Sequence, residues 1–455
     1  MKKNTKLDRV YNSLNIYGIL VGTICFFISY LFALITAKIS TLFFVGTGIY
    51  LFIYFFKSTK CYLNSRGIFS AVWFGTIGLA CLQLHPLQIN WNIKTWICLW
   101  LAYICFLVGY EIHSKYSLKL SKKYEFKFIE KLNLSYFTVL IMLIIIIIVA
   151  FIADVIYSRE IPIFSNDMSS YVKFGLPYIH YLTVSCALIA PLTIYYFKKY
   201  NVPKKQRIAL VILNIFVGSI PVLIVSRQLL LLEIIISIFT YLKLTNTKKI
   251  KIKYVIICLF ILALSWSMLS IFRNQNNDYL RIVLGLQEVD YPLTISQWRT
   301  YLYVTFNFDN FNYNVINLSE FSYGARMLYP FFTLVGVKIF FPRVIATNSY
   351  LKIMDTFNTY PILMEGYSDF GVWGVVIYLI LIGYFVAHVE RKSEKGKNDF
   401  NVIAQSIINY SLIFSFFTSF FAITTTWVYL IILFVFNFVT RPSIELGEDK
   451  KASIT

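Results

Sequence analysis

Apolar runs dominate this chain, and short polar breaks rich in lysine separate them. Most runs reach about 17–25 residues, the length a helix needs to cross a hydrocarbon core. The pattern predicts spanning helices at 16–37, 41–56, 68–86, 93–111, 134–157, 176–197, 208–226, 228–243, 254–272, 370–389, 401–421 and 423–440. The longest break, 273–370, holds one further apolar stretch, MLYPFFTLVGVKIFFP (327–342). That stretch is short, contains Lys338 and is bracketed by Arg326 and Arg343, so an interfacial or re-entrant helix is expected there. The expected fold class is an all-α integral membrane protein, a single polytopic domain over 1–455 with about twelve transmembrane helices. One large extracytoplasmic loop, 273–370, is expected between the ninth and tenth helices.

Composition agrees with lipid as the main solvent. The 455 residues are 58% hydrophobic and 14% charged, against about 25% charged in soluble domains. A net charge of +20 would also suit a nucleic-acid binder. Its distribution argues otherwise, because 30 of the 42 Lys and Arg residues fall on one set of alternate breaks and 12 on the other. By the positive-inside rule the richer set, which includes both termini, faces the cytoplasm, and no nucleic-acid partner is expected. The 7 cysteines form no CxxC or Cys/His cluster, so neither a disulfide framework nor a metal site is expected. The first apolar run is longer than the core of a signal peptide and lacks a cleavage motif, so no cleaved leader is expected.

Candidate chemistry gathers on the opposite side. In PVLIVSRQLLLLEIIISIFTYL (221–242), Arg227 stands alone between two apolar spans. An arginine at such a junction either snorkels to the headgroups or holds a phosphate through its planar fork. Glu233, lower on the same helix, reads as a structural partner for a neighbouring helix. Arg299, Arg326 and Arg343 lie in the long loop, where WRTYLYVTFNFDNFNYNVIN (298–317) mixes aromatics, asparagines and carboxylates in a segment expected to be exposed and suited to sugars. His180, in GLPYIHYLT, can serve as a base or phosphate ligand, or be a hydrogen-bonded residue at a helix end. In EGYSDFGVWG (365–374), Glu365, Tyr367 and Asp369 precede an apolar run. Asp369 there is either a favourable N-terminal charge on the helix or a base at its mouth. Gly371 and Gly374 read as sites of close helix packing. There is no Walker A, no HExxH and no D-x-D in the short first outer loop, so neither nucleotide, metal nor other cofactor is expected.

Four stretches taken in order resemble the O-antigen and capsule repeat-unit polymerases, the Wzy-type oligosaccharide repeat unit polymerase family. They are REIPIFSNDMSSYVKFGLPYIHYLTVSCALIAPLTIYY (159–196), VSRQLLLLEIIISIFTYL (225–242), YLYVTFNFDNFNYNVIN (301–317) and NTYPILMEGYSDFGVWGVVIYLILIGYF (358–385). The resemblance implies a metal-independent glycosyltransferase in the bacterial cytoplasmic membrane. Its implied substrates are undecaprenyl-diphosphate-linked oligosaccharides, and its implied product is an O-antigen, capsule or exopolysaccharide. Arg227 would hold the diphosphate, with Arg299, Arg326, Arg343, His180 and Tyr367 as further substrate contacts. Asp369 and Glu365 are the candidate bases. The lipid bilayer is a partner, and flippase and chain-length regulator proteins are candidate partners. The competing readings are a flippase for lipid-linked glycans and an O-antigen ligase, which shares the architecture.

The topology has a direct test. Reporter fusions ending at Lys123, Lys204 and Lys395 should report the cytoplasm, and one ending at Asp309 the opposite side. A cytoplasmic signal from Asp309 would overturn the orientation and the expected position of the candidate residues together.

Overall fold

A computed structural model describes residues 16–120, 134–165, 167, 170–245, 277–286, 293–342, 350–394 and 400–440. Every regular element among them is helical, and Leu134 and Thr440 form an isolated bridge. Seven helices are long and apolar enough to cross a membrane: Ile16–Ala33, Ala37–Thr59, Ile93–Ser114, Tyr136–Ser158, His180–Lys199, Lys204–Leu223 and Met364–Glu394. The chain is a multi-pass membrane protein. Four other expected spans coincide with helices that are shorter or more charged, Ser65–Ala80, Arg227–Leu244, Phe400–Ile413 and Thr424–Val439. The expected span at 254–272 lies outside the described residues.

Contacts divide the chain into two compact units. One comprises Met1–Phe126, Leu280–Arg391 and Ser411–Thr426, and the other Lys127–Tyr279, Lys392–Tyr410 and Trp427–Thr455.

In the first unit, Phe69, Trp73, Phe74, Tyr103 and Phe106 are fully buried. The helix Ile93–Leu120 meets Met364–Glu394 at two glycines. A Cβ on Gly109 would lie 2.1 Å from the Ile380 carbonyl oxygen, and one on Gly383 2.0 Å from that of Phe106. Without side chains at these points the two backbones approach directly, as small residues allow in membrane helices. Near this crossing Arg66 pairs with Glu111 at 2.6 Å, both buried. Glu390 accepts from Asn64 Nδ2 at 3.0 Å and from the Ser65 amide at 3.2 Å. Arg66 counts as a loop charge in the sequence reading, yet its side chain is inside, where an ionic partner is needed.

Within the long loop the sequence reading places one short helix, and the structure differs. Ile295–Asn317 is a 23-residue helix that begins with a capping box, Thr294 and Gln297 bonding each other's backbone. Hydropathy misses it because five of its buried residues are Asn307, Asp309, Asn310, Asn312 and Asn314. The 327–342 stretch forms two short helices, Tyr329–Leu334 and Val337–Phe340. Between them Gly336 has φ +77°, a conformation that favours glycine.

In the second unit, Tyr136 organises one end. Its ring stacks on Tyr196 at 4.9 Å, and its hydroxyl donates to the Leu192 carbonyl at 2.8 Å. The span His180–Lys199 tightens to a 3₁₀ turn at Ser185–Leu188. Pro191 follows, and its missing N–H cannot serve the carbonyl four residues back.

The glycine crossing predicts a cost. Gly109→Ala forces a methyl group against backbone, and overpacking of this kind costs about 1–3 kcal/mol. Thermal unfolding of the purified protein should shift down, while Gly75→Ala, where a Cβ would meet nothing within 4 Å, should leave it unchanged.

Candidate functional site

The Ile295–Asn317 helix bonds through its side chains to two stretches of irregular chain. On one side Asp309 accepts from Gln88 Nε2 at 2.7 Å and from Trp91 Nε1 at 2.8 Å. One turn on, Asn312 Oδ1 accepts from the Asn92 amide and the Thr95 hydroxyl, each at 2.8 Å. On the other side Asn310 donates to the Phe357 carbonyl at 2.7 Å and accepts from the Ile353 amide at 3.1 Å. Asn314 holds Leu351 from both ends, donating to its carbonyl at 2.6 Å and accepting from its amide at 3.0 Å. Thr359 donates to Asn307. These asparagines were expected on an exposed, sugar-binding surface. They are buried instead, because they supply the partners that the 351–359 backbone would otherwise lack.

A second device sits at the start of Met364–Glu394. The helix is interrupted at Phe370 and at Gly371, where φ is +60° and ψ −140°. Residues eight apart in a straight helix are about 12 Å distant. Here a Cβ on Gly374 would lie 1.8 Å from the Gly366 carbonyl oxygen. The chain therefore doubles back, and Gly366 and Gly374 touch where the two pieces cross. Asp369 ends the first piece, just before the reversal. Its Oδ1 accepts from the Arg326 amide at 3.1 Å and its Oδ2 from the Met327 amide at 2.8 Å. The Tyr323 amide donates to the Asp369 carbonyl at 3.2 Å, and the Ser322 amide to that of Ser368 at 2.9 Å.

These two devices bring Arg326, Tyr350 and Glu365 together. The Arg326 guanidinium lies over the Tyr350 ring, 4.1 Å from its centroid. The Tyr350 hydroxyl donates to the Glu365 carboxylate. Burial, with the adjacent Glu365 charge, holds the Tyr350 hydroxyl well above the ordinary phenol range. It therefore keeps its proton and acts as donor. Tyr360 meets the Tyr350 ring edge-on at 4.9 Å. Glu365, Arg326 and Tyr350 are each partly exposed. The cluster thus offers a carboxylate able to take a proton beside a planar cation able to take an anion.

Of the residues singled out in the sequence, Arg326, Glu365 and Asp369 come together here. Tyr367 is buried, its hydroxyl donating to the Val315 carbonyl at 3.3 Å and its ring 5.3 Å from Lys94 Nζ. Arg299 is buried near the start of Ile295–Asn317, 5.8 Å from the centre of the Tyr303 ring. Arg343 lies outside the described residues. In the second unit, Arg227 begins the helix Arg227–Leu244 and is buried. Val225 before it has φ +54°, and Ser226 caps the helix by accepting from the Leu229 amide. His180 Nδ1 lies 2.8 Å from Asp154 Oδ2, and the other oxygen of Asp154 accepts from the Leu176 amide at 2.8 Å.

Tyr350 and Asp154 escaped the sequence reading, as did the burial of Asn314. Tyr350 and Asp154 carry no local pattern. Asn307, Asn310 and Asn314 do, since spacings of three and four residues put them on one helical face.

The fold and this cluster define a helical membrane protein with a polar, ionisable mouth beside one of its spans. The O-antigen polymerase family profile matches residues 67–415, and the chain belongs to that family. Membership makes it an enzyme of polysaccharide repeat-unit polymerisation. No curated protein and no solved structure matches the chain.

Asp309 yields a pH prediction. Burial pushes its carboxyl up to about 7, against the hydrogen bonds from Trp91 and Gln88, which pull it down. The unfolded value is about 3.9, so the folded state holds the proton more tightly. The contribution of Asp309 to stability therefore falls as pH rises from about 4 to 7 and is flat above. The melting-temperature difference between Asp309→Asn and wild type should grow across that window in favour of the variant. A difference independent of pH would mean that Asp309 stays ionised throughout.

Proposed function

We propose that the chain polymerises undecaprenyl-diphosphate-linked oligosaccharide repeat units into a bacterial surface polysaccharide, on the outer face of the cytoplasmic membrane. A hydroxyl of the incoming lipid-linked repeat unit attacks the anomeric carbon of the growing glycan. The new glycosidic bond forms as the bond to the diphosphate breaks, and undecaprenyl diphosphate leaves with the electron pair. Glu365 takes the hydroxyl proton, and Arg326 stabilises the charge that develops on the departing diphosphate.

The observation carrying this reading is the Arg326–Tyr350–Glu365 cluster, which sets a carboxylate and a guanidinium around one tyrosine. Asp369 acts as a positioning residue, because both its carboxylate oxygens are engaged by the backbone of the turn that bears Arg326. The reaction as proposed uses no metal and no nucleotide. Phosphate contacts by Arg227 and His180 are a separate proposal, to be tested by their own substitutions.

The test is the length ladder of lipid-linked and surface glycan, with membrane abundance measured alongside. Glu365→Gln should slow chain elongation by about 10²–10⁴-fold, the usual contribution of a general base. Arg326→Ala should cost about 10²–10³-fold, and Arg326→Lys should recover little, since the planar fork is lost. Purified wild type should join repeat units in the presence of a chelator. A normal ladder from Glu365→Gln at normal abundance would remove the proposed base. Full-length unattached chains in a deletion strain would indicate a ligase, and single repeats a polymerase.

A further inference from the structure

The end of the stretch after Arg326 exposes large apolar side chains. Val335 is 71% exposed, Phe340 75% and Phe341 61%, with Ile339 beside them. A contiguous exposed patch of this kind marks an interaction surface. The basic residue in the stretch, Lys338, is exposed, and its Nζ donates to the Tyr329 hydroxyl at 2.8 Å. That is how a lysine keeps its charge at the edge of an apolar layer while its stem lies along it.

The start of the stretch lies beside a membrane span. Where a Cβ on Gly324 would stand, Phe370 at the reversal lies 3.8 Å away and Leu328 3.9 Å, both side chains exposed, and the Tyr323 ring meets Phe370 at 6.3 Å. The helix leaving that reversal exposes Trp373, Ile377 and Leu381, a stripe at four-residue spacing, with Trp373 75% exposed at its first turn. An outward tryptophan at the start of a span is characteristic of the membrane–water interface. The break at Gly336 leaves helices of six and four residues, too short to cross a bilayer.

The geometry points to a lipid-inserted foot: residues 328–341 lie in the headgroup–acyl boundary of the leaflet that Trp373 contacts, and their partner is phospholipid. Its start beside the lipid-facing stripe favours lipid over a second copy of the chain. Asp369 ties the Arg326–Met327 backbone to the residue just before the span. The foot and the span together therefore hold Arg326 and Glu365 at headgroup depth. A phosphate carried on a lipid tail can then reach the guanidinium while its tail stays in the bilayer. Only this consequence rests on the proposed polymerase reading; the insertion itself does not.

The full chain carrying p-benzoylphenylalanine in place of Val335 or Phe340 is reconstituted in phosphatidylethanolamine–phosphatidylglycerol vesicles and irradiated. The same substitution at Trp373 is the lipid-facing reference. Asp355, whose side chain is 97% exposed, is the aqueous reference. Phospholipid adducts are expected at 335, 340 and 373 and not at 355. The inference is overturned by adducts to a second copy of the chain at 335 and 340, or by no adduct there while 373 yields phospholipid. Missing lipid adducts at all three positions would overturn it together with the lipid-facing stripe. The readout is independent of glycan synthesis, so failure here leaves the polymerase reading standing, and the reverse.

Discussion

The buried amides of Ile295–Asn317 are the contacts on which the candidate site depends. Irregular backbone enclosed by a membrane protein needs hydrogen-bond partners from the protein itself, because little water is present to supply them. Asn310 and Asn314 provide both a donor and an acceptor to the 351–357 stretch, so each replaces a missing piece of secondary structure. Leu351 is gripped at both its amide and its carbonyl, which fixes the position of its neighbour Tyr350 and so the hydroxyl that reaches Glu365. The same helix secures the 88–95 stretch through Asp309 and Asn312 on its other side. A helix with this many buried polar groups is stable only because nearly every one is partnered.

The reversal at Phe370–Gly371 contributes the other half of the cluster. Positive φ at Gly371 and the contact of Gly366 with Gly374 let a short helical piece fold back on the span that follows it. Asp369, at the end of that piece, is spent on backbone amides and fixes the turn that projects Arg326. Two carboxylates four residues apart on one helical piece thus have different tasks. Asp369 shapes the site, and Glu365 stays partly open beside a tyrosine and a guanidinium. Environment separates them, since the residue type is nearly the same.

The sequence by itself determined the class of protein. Apolar run lengths and the charge deficit follow from lipid as solvent, which acts on each segment independently of the others. Seven long apolar helices stand where those runs predict them, and the ordered motifs agree with membership of the O-antigen polymerase family. Arg326, Glu365 and Asp369 also stood out, because charge at the edge of an apolar run is conspicuous in one dimension. Which side chains meet was decided only in three dimensions. Tyr350 and Glu365 are fifteen residues apart, and Trp91 and Asp309 more than two hundred, so no local pattern records either pair. The Ile295–Asn317 helix was hidden for the same reason. Its asparagines read as loop residues because their partners lie elsewhere in the chain, and only tertiary packing turns that polar face into a core.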